Sequence, residues 1–206
     1  MSLGTVAPGG RNLMGRVEVI VGCMYSGKTQ ELIRRLRRAQ YAKQEIQSFK
    51  PDIDTRYSKN IHSHGDERFP SELVPCDSPE AILDLVRPGT KVVGVDEAQF
   101  FSGNLVQVVR ALASRGHRVI VASLDMDFTG KPFGPSPLLL ADAEEILKLY
   151  AVCVVCGDDA TRTQRVSDNR EQVVVGSTSV YEARCFAHWS PEPVFAGQEN
   201  RMDLEG

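Results

Sequence analysis

Residues 22–29 read Gly22-Cys23-Met24-Tyr25-Ser26-Gly27-Lys28-Thr29, directly after the run Val17 to Val21. A buried strand running into a Gly-x4-Gly-Lys-Thr turn and then a helix is the pattern of a phosphate-binding loop. Each position has a physical reason. The glycines let backbone N–H groups turn inward around phosphate oxygens, and the following helix N-terminus adds positive potential. Lys28 reaches the β- and γ-phosphates, and the Thr29 hydroxyl is placed to ligate magnesium. A glycine-rich turn with no ligand is the bland alternative, but strand, loop and helix occur in the required order. A nucleoside triphosphate is therefore the expected ligand.

The remainder of the chain reads as the sheet such a loop requires. Leu32, Ile33, Leu36 and Ala39 form one helical face, with Arg34, Arg35, Arg37 and Arg38 as a solvated remainder. Ile46 to Phe49 reads as a short strand and Asp52 to Glu67 as a long polar loop. Ser78 is expected to cap a helix with Pro79 at its first position, stopped by Pro88-Gly89. Strands are expected over Lys91 to Val95 and Arg118 to Ala122, with a helix over Asn104 to Arg115 between them. Strands alternating with helices imply a mainly parallel sheet. Phe128 to Pro137 carries three prolines and two glycines and reads as a functional loop.

At 206 residues the chain can bury one substantial core with a small appendage. The expected division is a P-loop α/β nucleotide-binding domain over 13–150, a small second domain over 151–195, which the cysteine pattern and the resemblance described below make a zinc-binding and lasso domain, and flexible termini at 1–12 and 196–206. Net charge is -3, which gives no global attraction for nucleic acid. No apolar stretch approaches the roughly eighteen residues of a membrane span, and Met1 to Asn12 lacks a signal-peptide core, so a cytoplasmic location is expected.

Lys91 to Val95 is an apolar strand ending in Asp96-Glu97, the place for a metal-holding acid beside the phosphate loop. Asp96 is expected to hold magnesium through water. Glu97 is the candidate base for a hydroxyl acceptor, with a second magnesium-sphere acid or a water-positioning group as the alternative. Cys153-Val154-Val155-Cys156 and Cys185-Phe186-Ala187-His188 form two knuckles separated by 28 residues. Three thiolates and an imidazole complete a tetrahedron, leaving no position for water, so this zinc is expected to be structural. A redox reading of Cys153 and Cys156 would leave the second knuckle to coincidence. Cys23 and Cys76 read as plain small side chains.

Together these motifs resemble the cytosolic, zinc-containing thymidine kinases from Gly15 to about His188. The resemblance rests on the phosphate loop, on Lys50-Pro51 followed by Asp54-Thr55-Arg56-Tyr57, and on Asp96-Glu97-Ala98-Gln99-Phe100-Phe101. It also rests on Leu124-Asp125-x-x-Phe128, on Lys131-Pro132-Phe133-Gly134 and on the zinc knuckles. It implies a P-loop NTPase-like α/β fold with a small zinc-ribbon-like C-terminal domain and a lasso loop. The implied reaction transfers the γ-phosphate of ATP to the 5′-hydroxyl of thymidine, with deoxyuridine as a secondary substrate, in nucleotide salvage. By the same carry-over Glu97 accepts the proton, Gly22 to Thr29 bind the triphosphate, and Asp54, Arg56, Asp96, Ala98 and Gln99 arrange phosphates and magnesium. Arg56 would neutralise charge on the transferred group.

Residues 124–137 match the family's lasso over the nucleoside. Met24, Phe100, Leu124, Phe128, Phe133, Thr163 and Tyr181 match pocket positions, while the backbone of Gln172, Val173, Val174, Val175 and Gly176 is expected to bond the thymine edge. For Phe49 and Phe101 core packing is the preferred reading. A homotetramer and feedback inhibition by thymidine triphosphate are further implications. Cys23 where proline is common, Gln30 after Thr29, and Gln172 depart from the family pattern without removing a reacting group. Two rival readings stand beside this one. One is another P-loop nucleoside kinase or ATPase with a structural zinc ribbon; the other is a nucleic-acid module built on the ribbon and the arginine run.

Overall fold

The computed structural model describes residues 15–53, 60–62, 68–167 and 180–194, with the backbone alone at 60–62 and 68. β1 (Arg16–Val21) leads through the glycine-rich loop into α1 (Lys28–Tyr41), and β2 (Ile46–Pro51) follows. A hairpin of β3 (Asn60–His62) and β4 (Arg68–Pro70) precedes the short β5 (Glu72–Val74). Then come α2 (Ala81–Leu85), β6 (Val92–Val95), a 3-10 turn at Ala98–Phe100, α3 (Leu105–Ser114), β7 (Arg118–Ser123), α4 (Ser136–Asp142) and β8 (Glu145–Lys148). The six-stranded sheet has the order β5-β2-β6-β7-β1-β8, and all of its pairings are parallel.

Strand alternation divides the core between the two faces of that sheet. Val17, Val19 and Val21 of β1 join Phe49, Val93, Val95, Val119 and Val121 against Leu105, Val109 and Leu112 of α3. Ile20, Val92, Ile120 and Ala122 face Leu32, Ile33, Leu36 and Ala39 of α1. Phe49 and Phe101 are buried core residues, as expected. Covering both faces with helices accounts for the near-continuous apolar strands. It also sends the C-terminal ends of β1 and β6 to one edge, which is where an open α/β sheet binds its ligand.

Several expectations change. The polar stretch after Asp52 is not wholly loop, because the β3–β4 hairpin lies within and beside it. Strands of three residues are too short to show a period. Ser78 does not cap α2: the helix starts at Ala81 without a side-chain cap, and the Ser78 carbonyl accepts from Ala81 N–H at 3.2 Å. Ser136 and Pro137, assigned to the loop, begin α4, where proline in the first turn removes no needed donor. Among the described residues no helix is long and apolar enough to cross a membrane.

Arg35 is the largest departure from the solvated face expected of the arginine run. It is buried and donates to Glu18 Oε2 at 2.6 Å, to Glu31 at 2.8 Å and to Glu145 at 2.7 Å. Glu18 stands in the middle of β1, fully buried, and also pairs with Arg118 at 2.5 Å and Arg16 at 2.6 Å. Burial pushes the Glu18 carboxyl up, but hydrogen bonds and charge from Arg118 and Arg35 outweigh it and hold the group below 4.5.

Glu18→Gln is expected to cost about 3 kcal/mol in urea unfolding at pH 7, since it strands Arg35 without this counter-charge. The carboxylate's contribution is fully present above pH 4.5 and disappears as pH falls through the depressed folded value. Wild type and variant should therefore converge in acid; a gap independent of pH would mean lost packing rather than lost charge.

Among the described residues, the C-terminal part has two antiparallel strand pairs. β9 (Ala151–Val152) pairs with β10 (Asp159–Ala160), and β11 (Arg162–Arg165) pairs with β12 (Tyr181–Arg184). Their small core of Ala151, Cys153, Ala160 and Ala183 includes Cys23 from the glycine-rich loop. The glycine-rich loop is thus packed directly on the cysteine-bearing part of the chain.

Candidate active site

The glycine-rich loop is shaped as its sequence requires. Gly27 has φ 85° and hands the chain into α1, while Tyr25 also takes a left-handed φ of 65°. Met24 N–H donates to Thr163 Oγ1 at 3.1 Å, and Tyr25 OH donates to the Tyr181 carbonyl at 3.2 Å. Ser26 Oγ donates to the Cys23 carbonyl at 2.8 Å. Lys28 Nζ donates to the same carbonyl at 2.8 Å, and desolvation lowers its pKa against the opposing charges of Glu97, Cys23, Asp96 and Asp125.

The acidic strand end meets this loop. Thr29 Oγ1 donates to Asp96 Oδ2 at 3.2 Å, so the hydroxyl and carboxylate expected at a divalent cation already face each other. Asp96 is pushed up to about 7 by burial and then by the neighbouring Glu97 carboxylate, with the Thr29 hydroxyl and Lys28 opposing. A buried acid so raised has an electrostatic deficit that a cation relieves. Thr29 and Asp96 are the pair that could hold one.

Glu97 sits at φ 51°, in a conformation that side-chain-bearing residues rarely adopt. That turn starts Ala98–Phe100 and lets Asp96 and Glu97 occupy one edge, with Glu97 N–H donating to Asp96 Oδ1 at 3.0 Å. Gln99 fixes the glutamate. Its amide nitrogen donates to Glu97 Oε2, while its oxygen accepts from Leu124 N–H at 2.9 Å and from Ser123 Oγ at 3.2 Å. Ala98 and Gln99 are both buried beneath this turn. Gly134 approaches so closely that a Cβ there would lie 2.2 Å from the Gln99 carbonyl oxygen.

The aromatic positions make contacts of their own. Phe100 and Phe133 meet edge to face at 5.6 Å between centroids. Phe128 lies under the Arg165 guanidinium, 3.9 Å from carbon to ring centroid, and Arg165 also donates to the Tyr181 hydroxyl. Asp54, Arg56 and Gln172 to Gly176 lie outside the described residues. Three participants were given no role by the sequence reading. Lys50, next to last in β2, lies near enough for Asp96 and Glu97 to oppose its desolvation-lowered pKa. Arg165 and Trp189 carry no motif; the one available signal was that the chain's single tryptophan directly follows His188.

Cys153, Cys156, Cys185 and His188 converge with all ligand atoms within 4.8 Å of one another. Cys156 Sγ and Cys185 Sγ are 3.8 Å apart, Cys185 Sγ and His188 Nδ1 3.1 Å, and Cys153 Sγ and His188 Nδ1 3.9 Å. Two thiolates at about 2.3 Å from one tetrahedral zinc stand about 3.8 Å apart, so the cluster fits that ion. Burial raises Cys153, but hydrogen bonds led by the Cys185 backbone outweigh it and bring the thiol to about 6; at Cys156 the Asp158 backbone lowers the thiol, but desolvation and the Cys153 and Cys185 thiols outweigh it and push it up to about 11, so a metal bound here would displace a proton from Cys156.

The family model described as "Thymidine kinase" matches residues 15–189. The chain is 55% identical over 179 residues to a thymidine kinase of Bdellovibrio bacteriovorus, covering 86% of this chain and 87% of that one. It is 52% identical over 172 residues to a thymidine kinase of Bacteroides thetaiotaomicron, covering 83% and 85%. Among solved structures, the Legionella pneumophila ATPase DotB superposes with a TM-score of 0.40 at 12% identity, over 63% of this chain and 34% of that one. The assignment of the sheet rests on its own strand order. More than half of the aligned residues shared with each of two such enzymes, and a family model spanning the loop, the acid pair and the cysteine cluster alike, place this chain in the thymidine kinase family of phosphotransferases.

Proposed function

We propose that the chain transfers the γ-phosphate of ATP to the 5′-hydroxyl of thymidine, and more slowly of deoxyuridine, in deoxynucleotide salvage. The observation that carries this reading is the meeting of Thr29 with Asp96 beside a Glu97 whose carboxylate is aimed by Gln99. Triphosphate oxygens replace the Cys23 carbonyl as the partner of Lys28, and Gly22 to Thr29 wrap the remaining phosphates. Thr29 and Asp96 would hold magnesium, which would supply charge neutralisation. Glu97 takes the proton of the sugar hydroxyl as its oxygen bonds the γ-phosphorus, and the bond from that phosphorus to the β–γ bridging oxygen breaks, releasing ADP. Arg56 and Asp54 belong to the phosphate side of this reading, and the backbone of Gln172 to Gly176 to its base side.

Met24, Phe100, Leu124, Phe128, Phe133, Thr163 and Tyr181 line the nucleoside pocket under the 124–137 loop. The loop excludes water and so suppresses idle ATP hydrolysis. Thymidine triphosphate inhibits by occupying both the base and phosphate subsites, the enzyme assembles as a homotetramer, and zinc on Cys153, Cys156, Cys185 and His188 is structural.

A coupled assay of ADP release with thymidine, deoxycytidine, deoxyguanosine or no acceptor decides between this reading and a bare ATPase. ADP formation should depend on thymidine and leave thymidine monophosphate in equal amount. Equal rates with and without nucleoside would sink the proposal.

A further inference from the structure

Residues 126–133 form a compact, internally braced hairpin. Met126 and Pro132 make an isolated bridge, and Asp127 N–H donates to the Lys131 carbonyl at 2.9 Å. Asp127 Oδ1 accepts from Thr129 N–H at 2.9 Å, Thr129 Oγ1 at 2.7 Å and Lys131 N–H at 3.1 Å. A turn tied this way moves as one piece, so its position is set by what holds it from outside.

At its base that grip is the catalytic turn, through Gln99 to Leu124 and through Phe133 on Phe100. At its tip the grip comes from the metal-knuckle segment. Trp189 Nε1 donates to the Phe128 carbonyl at 3.1 Å. Gly130, at φ 78°, rests on the same indole so closely that a Cβ would stand 2.6 Å from its ring edge. Arg162, whose guanidinium lies 5.5 Å from the indole centroid, donates from Nη1 to Met126 Sδ at 3.4 Å. Trp189 is the next residue after His188, so the knuckle fixes where the indole stands.

We infer that Trp189 is a positioning residue for the nucleoside pocket: it latches the Phe128-bearing hairpin to the zinc knuckle and holds it in the substrate-ready position. The inference rests on the reading that thymidine lies beneath Phe128. A hairpin competent for only a fraction of the time weakens apparent substrate affinity by that fraction, which is the quantity the latch raises.

The test compares the zinc-loaded full chain with Trp189→Phe, which keeps a ring and loses the N–H donor. Amide exchange across 126–133 should quicken while zinc content stays equal to wild type. The thymidine KM should rise roughly threefold to tenfold, the scale of one lost hydrogen bond, with the ATP KM within about twofold of wild type. Gly130→Ala disturbs the same contact from the loop side and should reproduce the split. As the sole tryptophan, Trp189 should also change emission when thymidine is added to wild type.

Unchanged exchange in Trp189→Phe, or KM values for thymidine and ATP that rise together, would overturn the latch. Wild-type enzyme inert toward thymidine would instead defeat the functional reading, and the exchange measurement would still decide whether the indole holds the hairpin.

Discussion

Glu97→Gln should lower kcat for thymidine about 10²- to 10⁴-fold, equivalent to about 3 to 5 kcal/mol of barrier, while leaving ATP binding close to wild type. The substitution preserves size, and its amide oxygen can still accept from the Gln99 side chain, so the turn at Ala98–Phe100 should persist. What it removes is the group proposed as proton acceptor. It also removes the like charge that helps raise Asp96 to about 7, so Asp96 should stay ionised to lower pH in the variant. Single-turnover kinetics with an independent ATP titration separates these effects. A tenfold loss of ATP affinity with an unchanged chemical step would assign Glu97 to the metal instead of the acceptor hydroxyl.

The second large effect is expected at the cysteine cluster. Cys185→Ala should reduce bound zinc from one per chain toward none and unfold the C-terminal strand pairs. Structural zinc contributes about 10–16 kcal/mol of apparent binding free energy in small metal-dependent domains, far beyond what two short strand pairs provide alone. The damage should spread to the phosphate loop, because Cys23 packs among Ala151, Cys153 and Ala160, and Met24 is bonded to Thr163. Metal content by colorimetric release, near-ultraviolet circular dichroism of Trp189 and kinase activity should therefore fall together. A zinc-free variant that keeps native dichroism would show that these strand pairs fold without the ion.

The phosphate loop, the acidic strand end and the cysteine knuckles were legible because each is a local pattern whose chemistry demands fixed residue types at fixed spacing. The apolar strands were legible for a related reason: a sheet covered on both faces leaves a continuous hydrophobic record. Glu18 shows where that record misleads. Inside an apolar run it reads as an interruption to ignore, yet it is the buried centre of an ion network whose partners lie at Arg35, Arg118 and Arg16. Arg35, for its part, belongs to a run that resembles a solvated face until the sheet brings Glu18 and Glu145 to it.

By itself, then, the sequence determined that a Gly-x4-Gly-Lys-Thr loop, an acidic pair at a strand end and two cysteine-bearing knuckles are present, since each is a pattern within a few residues. Only the tertiary structure decided which of them touch. Thr29 reaches Asp96 across 67 positions, Gln99 joins Glu97 to Leu124, and Trp189 reaches Phe128 across 61 positions. Contacts of that span depend on strand order and on which faces the helices cover, and no local spacing encodes either.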